Sequence, residues 1–237
     1  MLSRQTRFGY DQPMSHSVRS HLRLEIHAYD EAIRKFIPGY EVALSRAAGE
    51  VADVSPARVV DLGAGTGALT EAILDQDRVG HVDAVDVDPE MLAQARVRLK
   101  RFGSRVSFSE ASFDAPLPGC DAVAASLALH HVPTMEGRAA LHKRIFGALR
   151  PGGVFVNADV TVSAQPKSRE RTYRLWAAHL VSCGISEARA WQHFDEWARE
   201  NTYFPLEEEL ASMRQAGFDA ECIWRDAPNT LMVGRKG

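Results

Sequence analysis

The segment that most constrains the fold is a glycine-rich turn around residue 65. It follows a short apolar strand and runs directly into a helix, within the sequence VVDLGAGTGALT at residues 59–70. Three glycines in five positions let the backbone turn sharply and let a ligand approach closer than a Cβ atom permits. The helix after the turn offers free backbone N–H groups and the positive end of its dipole. The segment therefore predicts an α/β fold with a ligand site at the carboxyl edge of the sheet.

Two classes of cofactor fit this turn, and Asp61 separates them. Gly63, Gly65 and Ala68 satisfy the G-x-G-x-x-G/A spacing of a dinucleotide site, so the glycines alone do not decide. A carboxylate beside the turn repels a pyrophosphate but suits a ligand that carries an ammonium group. A nicotinamide oxidoreductase is further disfavoured because no Y-x-x-x-K pair starts at Tyr173.

A second acidic position lies about twenty residues beyond the turn. Residues 82–87 alternate in polarity and predict a second strand that ends at Asp86, and Asp88 and Pro89 then start a helix. A carboxylate at that strand end can accept hydrogen bonds from both hydroxyls of a ribose. The spacing therefore predicts a nucleoside site beside the glycine turn.

The strings DLGAGTG at 61–67 and VDVDPEMLAQAR at 85–96 resemble the first and second motifs of the class I S-adenosylmethionine (SAM)-dependent methyltransferases. LRPGGVFV at 149–156 and MRQAGF at 213–218 are also similar to strings of that family, so the resemblance covers roughly residues 25–237. It implies SAM as the cofactor. It also implies a Rossmann-like, seven-stranded mixed sheet, mostly parallel, with a C-terminal antiparallel hairpin, N-terminal helices and an inserted helical lid.

The resemblance implies a set of cofactor-binding residues at the strand ends. At one of these places the chain departs from the family, because Ser112 stands where an Asp usually takes the adenine amino group. The Ser112 hydroxyl can accept one hydrogen bond, and the Phe113 amide and ring can meet the adenine. The implied residues are Asp61, Gly63, Ala64, Gly65, Gly67, Asp86, Val87, Met91, Ser112, Phe113 and Ser126.

The candidate catalytic residues are His131, Tyr40 and Tyr173. SLALHHV at 126–132 resembles the family's fourth motif, which ends beside the transferring methyl, so His130 or His131 can serve as a base. The alternative is that one His caps the next helix and packs at the cofactor's edge. YDEAI at 29–33 with PGY at 38–40 resembles the segment of carboxy-SAM synthases that closes over the ligand, and Tyr40 belongs to it.

The hydrophobic periodicity marks the helices and strands, and with the resemblance it implies four parts of the chain. They are an N-terminal helical cap (1–52), a SAM-binding Rossmann-like core (53–160), a helical lid (161–204), and a last helix with a hairpin that completes the core (205–237). The lid is rich in aromatic residues, whose faces attract cations such as a sulfonium. The alternative for it is a plain helical hairpin whose aromatics fill their own core.

Composition excludes several other classes of protein. A net charge of −3 with no dense basic run does not favour nucleic-acid binding. No apolar segment is long enough to cross a membrane. The three cysteines form no metal or disulfide pattern, so we expect no metal site. With a polar N-terminus that lacks a signal-peptide core, the expected location is cytoplasmic. A small-molecule substrate is the expected partner, and a homodimer is left open.

The expected function is transfer of a methyl group from SAM to a small O, N or C nucleophile. No N/D-P-P-Y/F motif is present, which disfavours an exocyclic base nitrogen. The alternative is chemistry on SAM itself, such as cyclisation of its aminobutyryl arm with release of methylthioadenosine. Carboxy-SAM synthesis is disfavoured, because the resemblance would require an Arg near Phe194 and His193. A non-catalytic SAM-binding module is also compatible with the sequence.

Overall fold

The computed structural model of the chain describes residues 26–237, with side chains from Ala28 onward. The part of the predicted cap that precedes residue 26, including the polar N-terminus, lies outside the described residues. The helices are α1 (Ile26–Phe36), α2 (Tyr40–Asp53), α3 (Ala68–Leu74), α4 (Pro89–Arg98), α5 (Met135–Ala148), α6 (Pro166–Ser182), α7 (Glu187–Trp197) and α8 (Leu206–Ala216). The strands are β1 (Arg58–Leu62), β2 (His81–Asp86), β3 (Val106–Glu110), β4 (Cys120–Ser126), β5 (Leu149–Val160), β6 (Asp219–Asp226) and β7 (Asn229–Arg235).

The seven strands form one sheet in the order β3-β2-β1-β4-β5-β7-β6. The first five strands of this order are parallel, and β7 runs antiparallel to both β5 and β6. This confirms the predicted mixed sheet with its C-terminal antiparallel hairpin. The order in which successive strands are added reverses between β1 and β4. A crevice therefore opens at the carboxyl ends of these two strands, where ligands bind in such sheets.

The core lies on both faces of the sheet because neighbouring strand residues point to opposite sides. Val59 faces α2 and α3, whereas Val60 faces α5 and α8. Strands β1, β4 and β7 therefore consist largely of residues that are buried on both sides of the sheet. Helix α5 begins at Met135, because the Thr134 hydroxyl accepts a hydrogen bond from the Gly137 N–H at 3.1 Å.

The inserted helices α6 and α7 pack against the N-terminal helix α1. The Trp176 indole N–H donates to the Phe36 carbonyl at 2.6 Å, and the rings of Trp197 and Phe36 lie 5.2 Å apart. Trp176 also contacts the ring of Phe194 at 4.9 Å. The aromatics of the inserted helices are therefore shared between their own hairpin and α1. The division of the chain into cap, core and lid stays a prediction.

Within residues 26–237, no helix combines the length and the apolar character that crossing a bilayer requires.

We expect Trp176→Ala to lower the free energy of unfolding by about 3–5 kcal/mol, because it empties a fully buried site. Trp191→Ala is the matched control: Trp191 is 40% exposed, so its loss should cost under about 1 kcal/mol. Urea denaturation followed by circular dichroism measures both. Equal losses for the two variants would contradict the packing of α6 on α1.

Candidate functional site

The glycine turn after β1 has the backbone that its sequence predicts. Gly63, Gly65 and Gly67 have φ angles of 72°, 55° and 85°, a region that side chains with a Cβ disfavour. A Cβ at Gly63 would lie 2.4 Å from the Cβ of Ala128, in the loop after β4. The turn therefore needs glycine there, because two loops meet at the mouth of the crevice.

Asp61 is the buried acidic residue of this crevice. Its Oδ2 accepts a hydrogen bond from the Thr70 hydroxyl, whereas its Oδ1 has no hydrogen-bond partner among the described residues. Burial raises the pKa of Asp61 to about 7, although the Thr70 hydrogen bond opposes this, and the charge of Asp86 adds to it. A buried carboxylate oxygen without a donor is costly, so a donor group from a ligand fits this position.

Asp86 closes the other side of the turn. Its two carboxylate oxygens accept the N–H groups of Gly65 at 2.7 Å and of Asp88 at 2.8 Å. Burial raises the pKa of Asp86, although these two hydrogen bonds oppose the effect. Each carboxylate oxygen has a second lone pair, so Asp86 can still accept from a ligand hydroxyl.

Helix α1 is fastened over the turn by an ion pair and hydrogen bonds that the sequence motifs do not predict. Arg98 forms an ion pair with Asp30, and the Thr66 hydroxyl donates to Asp30 at 2.6 Å. Arg98 also donates to the Thr66 carbonyl at 3.0 Å. Tyr29 is the neighbour of Asp30 on α1; burial, followed by the charge of Asp86, raises its pKa. The helix thus covers the crevice from the side of Asp86.

A cavity of about 500 Å³, including the space at its open mouth, lies at the carboxyl ends of β4 and β5. Its walls come from α1, the loop after β4, α6, α7 and residues 201–203. They combine aromatic and aliphatic groups with a few polar side chains, a composition that is typical of small-molecule sites. The lining residues with polar groups include His130, His131 and Asn201, and Tyr29 and Tyr203 with their hydroxyls.

His130 is paired with Asp159, the penultimate residue of β5. Their Nδ1 and Oδ1 atoms lie 2.6 Å apart, and the His130 backbone N–H donates to Oδ2 at 3.1 Å. Burial by itself raises the pKa of Asp159, but the adjacent His130 and Arg138 outweigh it and hold that pKa below its usual range. An ionised Asp159 favours the tautomer with the proton on Nδ1, which leaves Nε2 as the proton-accepting nitrogen.

The segment that carries Asn201 and Tyr203 is held against this pair. The Thr202 N–H donates to the His130 carbonyl at 2.8 Å, and Arg138 donates to the Thr202 carbonyl at 3.3 Å. Arg138 also forms a buried ion pair with Glu209 of α8. The cavity wall is therefore anchored to two helices on the opposite face of the sheet.

Known proteins match the chain along most of its length. A family model described as a methyltransferase domain matches residues 59–153. An uncharacterized methyltransferase of Mycobacterium bovis is 30% identical over 182 residues, which cover 75% of this chain and 83% of the relative. The chain belongs to the class I SAM-dependent methyltransferase family.

The chain is also similar to a curated relative in sequence and to a solved structure in fold. A carboxy-S-adenosyl-L-methionine synthase of Campylobacter curvus is 28% identical over 188 residues, covering 78% of this methyltransferase and 79% of the relative. The crystal structure of human N-acetylserotonin methyltransferase in complex with SAM superposes with a TM-score of 0.60 at 19% identity. That match covers 90% of this chain but 55% of the human chain, so this methyltransferase spans about half the length of that protein.

The cofactor of this methyltransferase is SAM, and the crevice fits it. The open Oδ1 of Asp61 suits an α-ammonium group, which none of the described residues replaces. Met91 and Phe113 lie near the turn, because their side chains come within 3.3 Å and 3.6 Å of Cβ positions built on Gly65 and Gly63. In the described part of the chain, no cluster of three His, Cys, Asp or Glu residues can hold a metal ion.

The remaining predicted site residues differ in how deeply they are buried. Ala64 is buried within the turn, and Ser126 is half-buried at the end of β4. Val87 is exposed, and so is Ser112, whose hydroxyl oxygen accepts the Asp114 N–H at 3.3 Å. Both side chains therefore face solvent, and their role in cofactor binding stays a prediction.

The three candidate catalytic residues do not converge. His131 lines the cavity and packs on His130, with 4.4 Å between ring centroids. Tyr40 is buried at the start of α2, and Tyr173 stacks on Trp176; neither is among the residues that line the cavity. The catalytic roles of these three residues stay predictions. His130 differs from them because its ring is hydrogen-bonded to a buried carboxylate, that of Asp159.

We expect the affinity for SAM to rise with pH between about 5.5 and 7.5. The pKa of Asp61 near 7 leaves it largely protonated at the low end, while a ligand ammonium favours the carboxylate. Binding below pH 7 then releases a proton, and Kd increases by up to about tenfold per pH unit of acidification. Isothermal titration calorimetry measures this dependence.

Asp61→Asn is the control for this pH effect. The variant should bind SAM more weakly and should lose most of the dependence, since the remaining change belongs to Asp86, whose pKa is also raised by burial. An unchanged pH profile in Asp61→Asn would show that another group is responsible.

Proposed function

We propose that the chain transfers the methyl group of SAM to a small-molecule acceptor. One observation carries this proposal: the crevice at Asp61 and the cavity at His130 are neighbours, joined by the contact between Gly63 and Ala128. Bound SAM supplies an electrophilic methyl group on a sulfonium. A nucleophile in the cavity would therefore approach from the side of the loop after β4.

The proposed cofactor contacts follow from the geometry of the crevice. Asp61 would accept the α-ammonium group, and Asp86 would accept the ribose hydroxyls. The turn at residues 63–67 would permit the close approach of the ligand to the backbone. Met91 and Phe113 would contact the adenine. Val87, Ser112 and Ser126 are proposed for the rim of the same site.

His130 is the residue we propose to handle the acceptor's proton. Asp159 holds Nδ1, which orients the ring and stabilises the charge that forms when Nε2 takes a proton. His131 packs on the same ring and helps to shape the cavity wall. In this arrangement the protein mainly positions the reactants and excludes water.

The second candidate function is chemistry on SAM itself, and two observations favour it. The inserted helices are packed down on α1 through Trp176 and Trp197, which restricts the room for a second molecule. Relatives that match most of this chain are named as synthases of carboxy-SAM. Carboxy-SAM synthesis stays disfavoured here, because none of the described residues that line the cavity is Arg or Lys.

Incubation of the purified full chain with SAM, followed by mass spectrometry, separates these functions. We expect S-adenosylhomocysteine to form only when a filtered extract of small metabolites is added as a source of acceptors. Methylthioadenosine released from SAM alone would replace the leading proposal by the second one. SAM binding without any turnover in either sample would indicate a binding module.

We expect Asp86→Ala to weaken SAM binding by about 10–100-fold, because charge-assisted hydrogen bonds to the ribose are lost. Asp83→Ala is the matched control on β2, since Asp83 contacts Arg58 and Ser107 instead of the glycine turn. Calorimetric titration compares the two variants. The same affinity in Asp86→Ala and the unchanged protein would rule out a ribose at Asp86.

A further inference from the structure

We propose that the cavity beside His130 selects an amine as its acceptor and rejects carboxylates. This inference rests on the proposed function, because it names the class of molecule that the cavity would hold. The selection acts at binding and depends on three features of the cavity wall: its charge, its hydrogen-bonding groups and its aromatic faces.

The charge of the wall is unfavourable for an anion. None of the twelve lining residues, all within the described ranges, is Arg or Lys. The charged group closest to His130 is the buried carboxylate of Asp159, which accepts hydrogen bonds from the His130 ring and from its backbone N–H. Arg138, beyond that carboxylate, is already bound to Glu209 and to the Thr202 carbonyl. A carboxylate would therefore lose its hydration without gaining a cationic partner.

The hydrogen-bonding groups of the wall call for a donor. The Asn201 amide N–H donates to the Tyr203 hydroxyl at 2.8 Å, while its buried Oδ1 accepts nothing from the described residues. His130 presents Nε2 as an acceptor, since Nδ1 is taken by Asp159. A primary amine, or a protonated primary or secondary amine, carries at least two N–H groups, so it can serve both acceptors. A hydroxyl has a single hydrogen and can serve one.

The aromatic faces of the wall suit the same class. Rings of Tyr29, Phe36, Trp176, Trp197 and Tyr203 surround the space between α1 and the inserted helices. Such faces attract ammonium groups and stack on flat apolar bodies. They offer nothing comparable to a carboxylate, because the face of a ring carries partial negative charge.

Three probes of similar shape test this selection: phenethylamine, 2-phenylethanol and 3-phenylpropanoate. Each is titrated into the protein saturated with S-adenosylhomocysteine at pH 7, and binding is followed by calorimetry and by the fluorescence of the cavity tryptophans. We expect the amine to bind at least about tenfold more tightly than the carboxylate, with the alcohol between them. A carboxylate that binds equally well or better overturns the inference. So does an amine that shows no binding at about 20 mM.

Variants connect the selection to the wall. Asn201→Leu should weaken binding of the amine by about fivefold or more, because it removes the unpaired Oδ1 acceptor. The affinity for the alcohol should change less. Asn201→Asp should increase the ratio between amine and carboxylate. Trp191→Phe, on the exposed side of α7, is the control and should change neither. A loss of amine binding in the control equal to that in Asn201→Leu would contradict a role for Asn201.

The design separates two kinds of failure. If the protein does not bind S-adenosylhomocysteine or SAM in the calorimeter, the proposed function itself is wrong. If it binds the nucleoside but prefers 3-phenylpropanoate, the function stands and the amine selection is wrong.

Discussion

The contact between the loop after β1 and the loop after β4 governs the arrangement of the whole site. Gly63 and Ala128 approach so closely that any side chain at residue 63 would collide with the alanine methyl group. The two loops leave neighbouring parallel strands, β1 and β4, whose carboxyl ends share one edge of the sheet. The contact joins the crevice of Asp61 and Asp86 to the cavity of His130, so one edge holds both halves of the candidate reaction centre.

Three aspartates at this edge differ in pKa because their partners differ. Asp61 and Asp86 are bound by hydroxyl and backbone N–H donors, and burial leaves the pKa of each raised. Asp159 faces His130 and Arg138, which lower its pKa despite complete burial. The first two retain free acceptor capacity and a preference for a positively charged or hydrogen-bonding ligand. The third is committed to orienting an imidazole.

The helices above this edge are coupled to one another. Helix α1 is tied to the glycine turn through Asp30, Arg98 and Thr66, and α6 is tied to α1 through Trp176. A movement of α1 would therefore disturb the turn and the cavity together. This coupling gives the protein a physical means to exclude water from both ligand positions at once.

The sequence by itself determined the class of fold, the glycine turn and the positions of Asp61 and Asp86. These features depend on local signals, such as alternation along a strand, glycines that permit a positive φ, and helix caps, which act over a few residues. The fixed connection of parallel strands then brings the strand ends to one edge without further information.

Only the tertiary structure decided which side chains meet across that edge. His130 and Asp159 are 29 residues apart in the sequence, and Asp30 and Arg98 are 68 residues apart. No local sequence pattern predicts that either pair is in contact. Tyr40 and Tyr173 are not among the residues that line the cavity, whereas Asn201 and Tyr203 are, because the packing of the helices decides which side chains reach it. Contacts of this kind arise from the sum of many packing interactions along distant segments, and a single segment of sequence does not contain that sum.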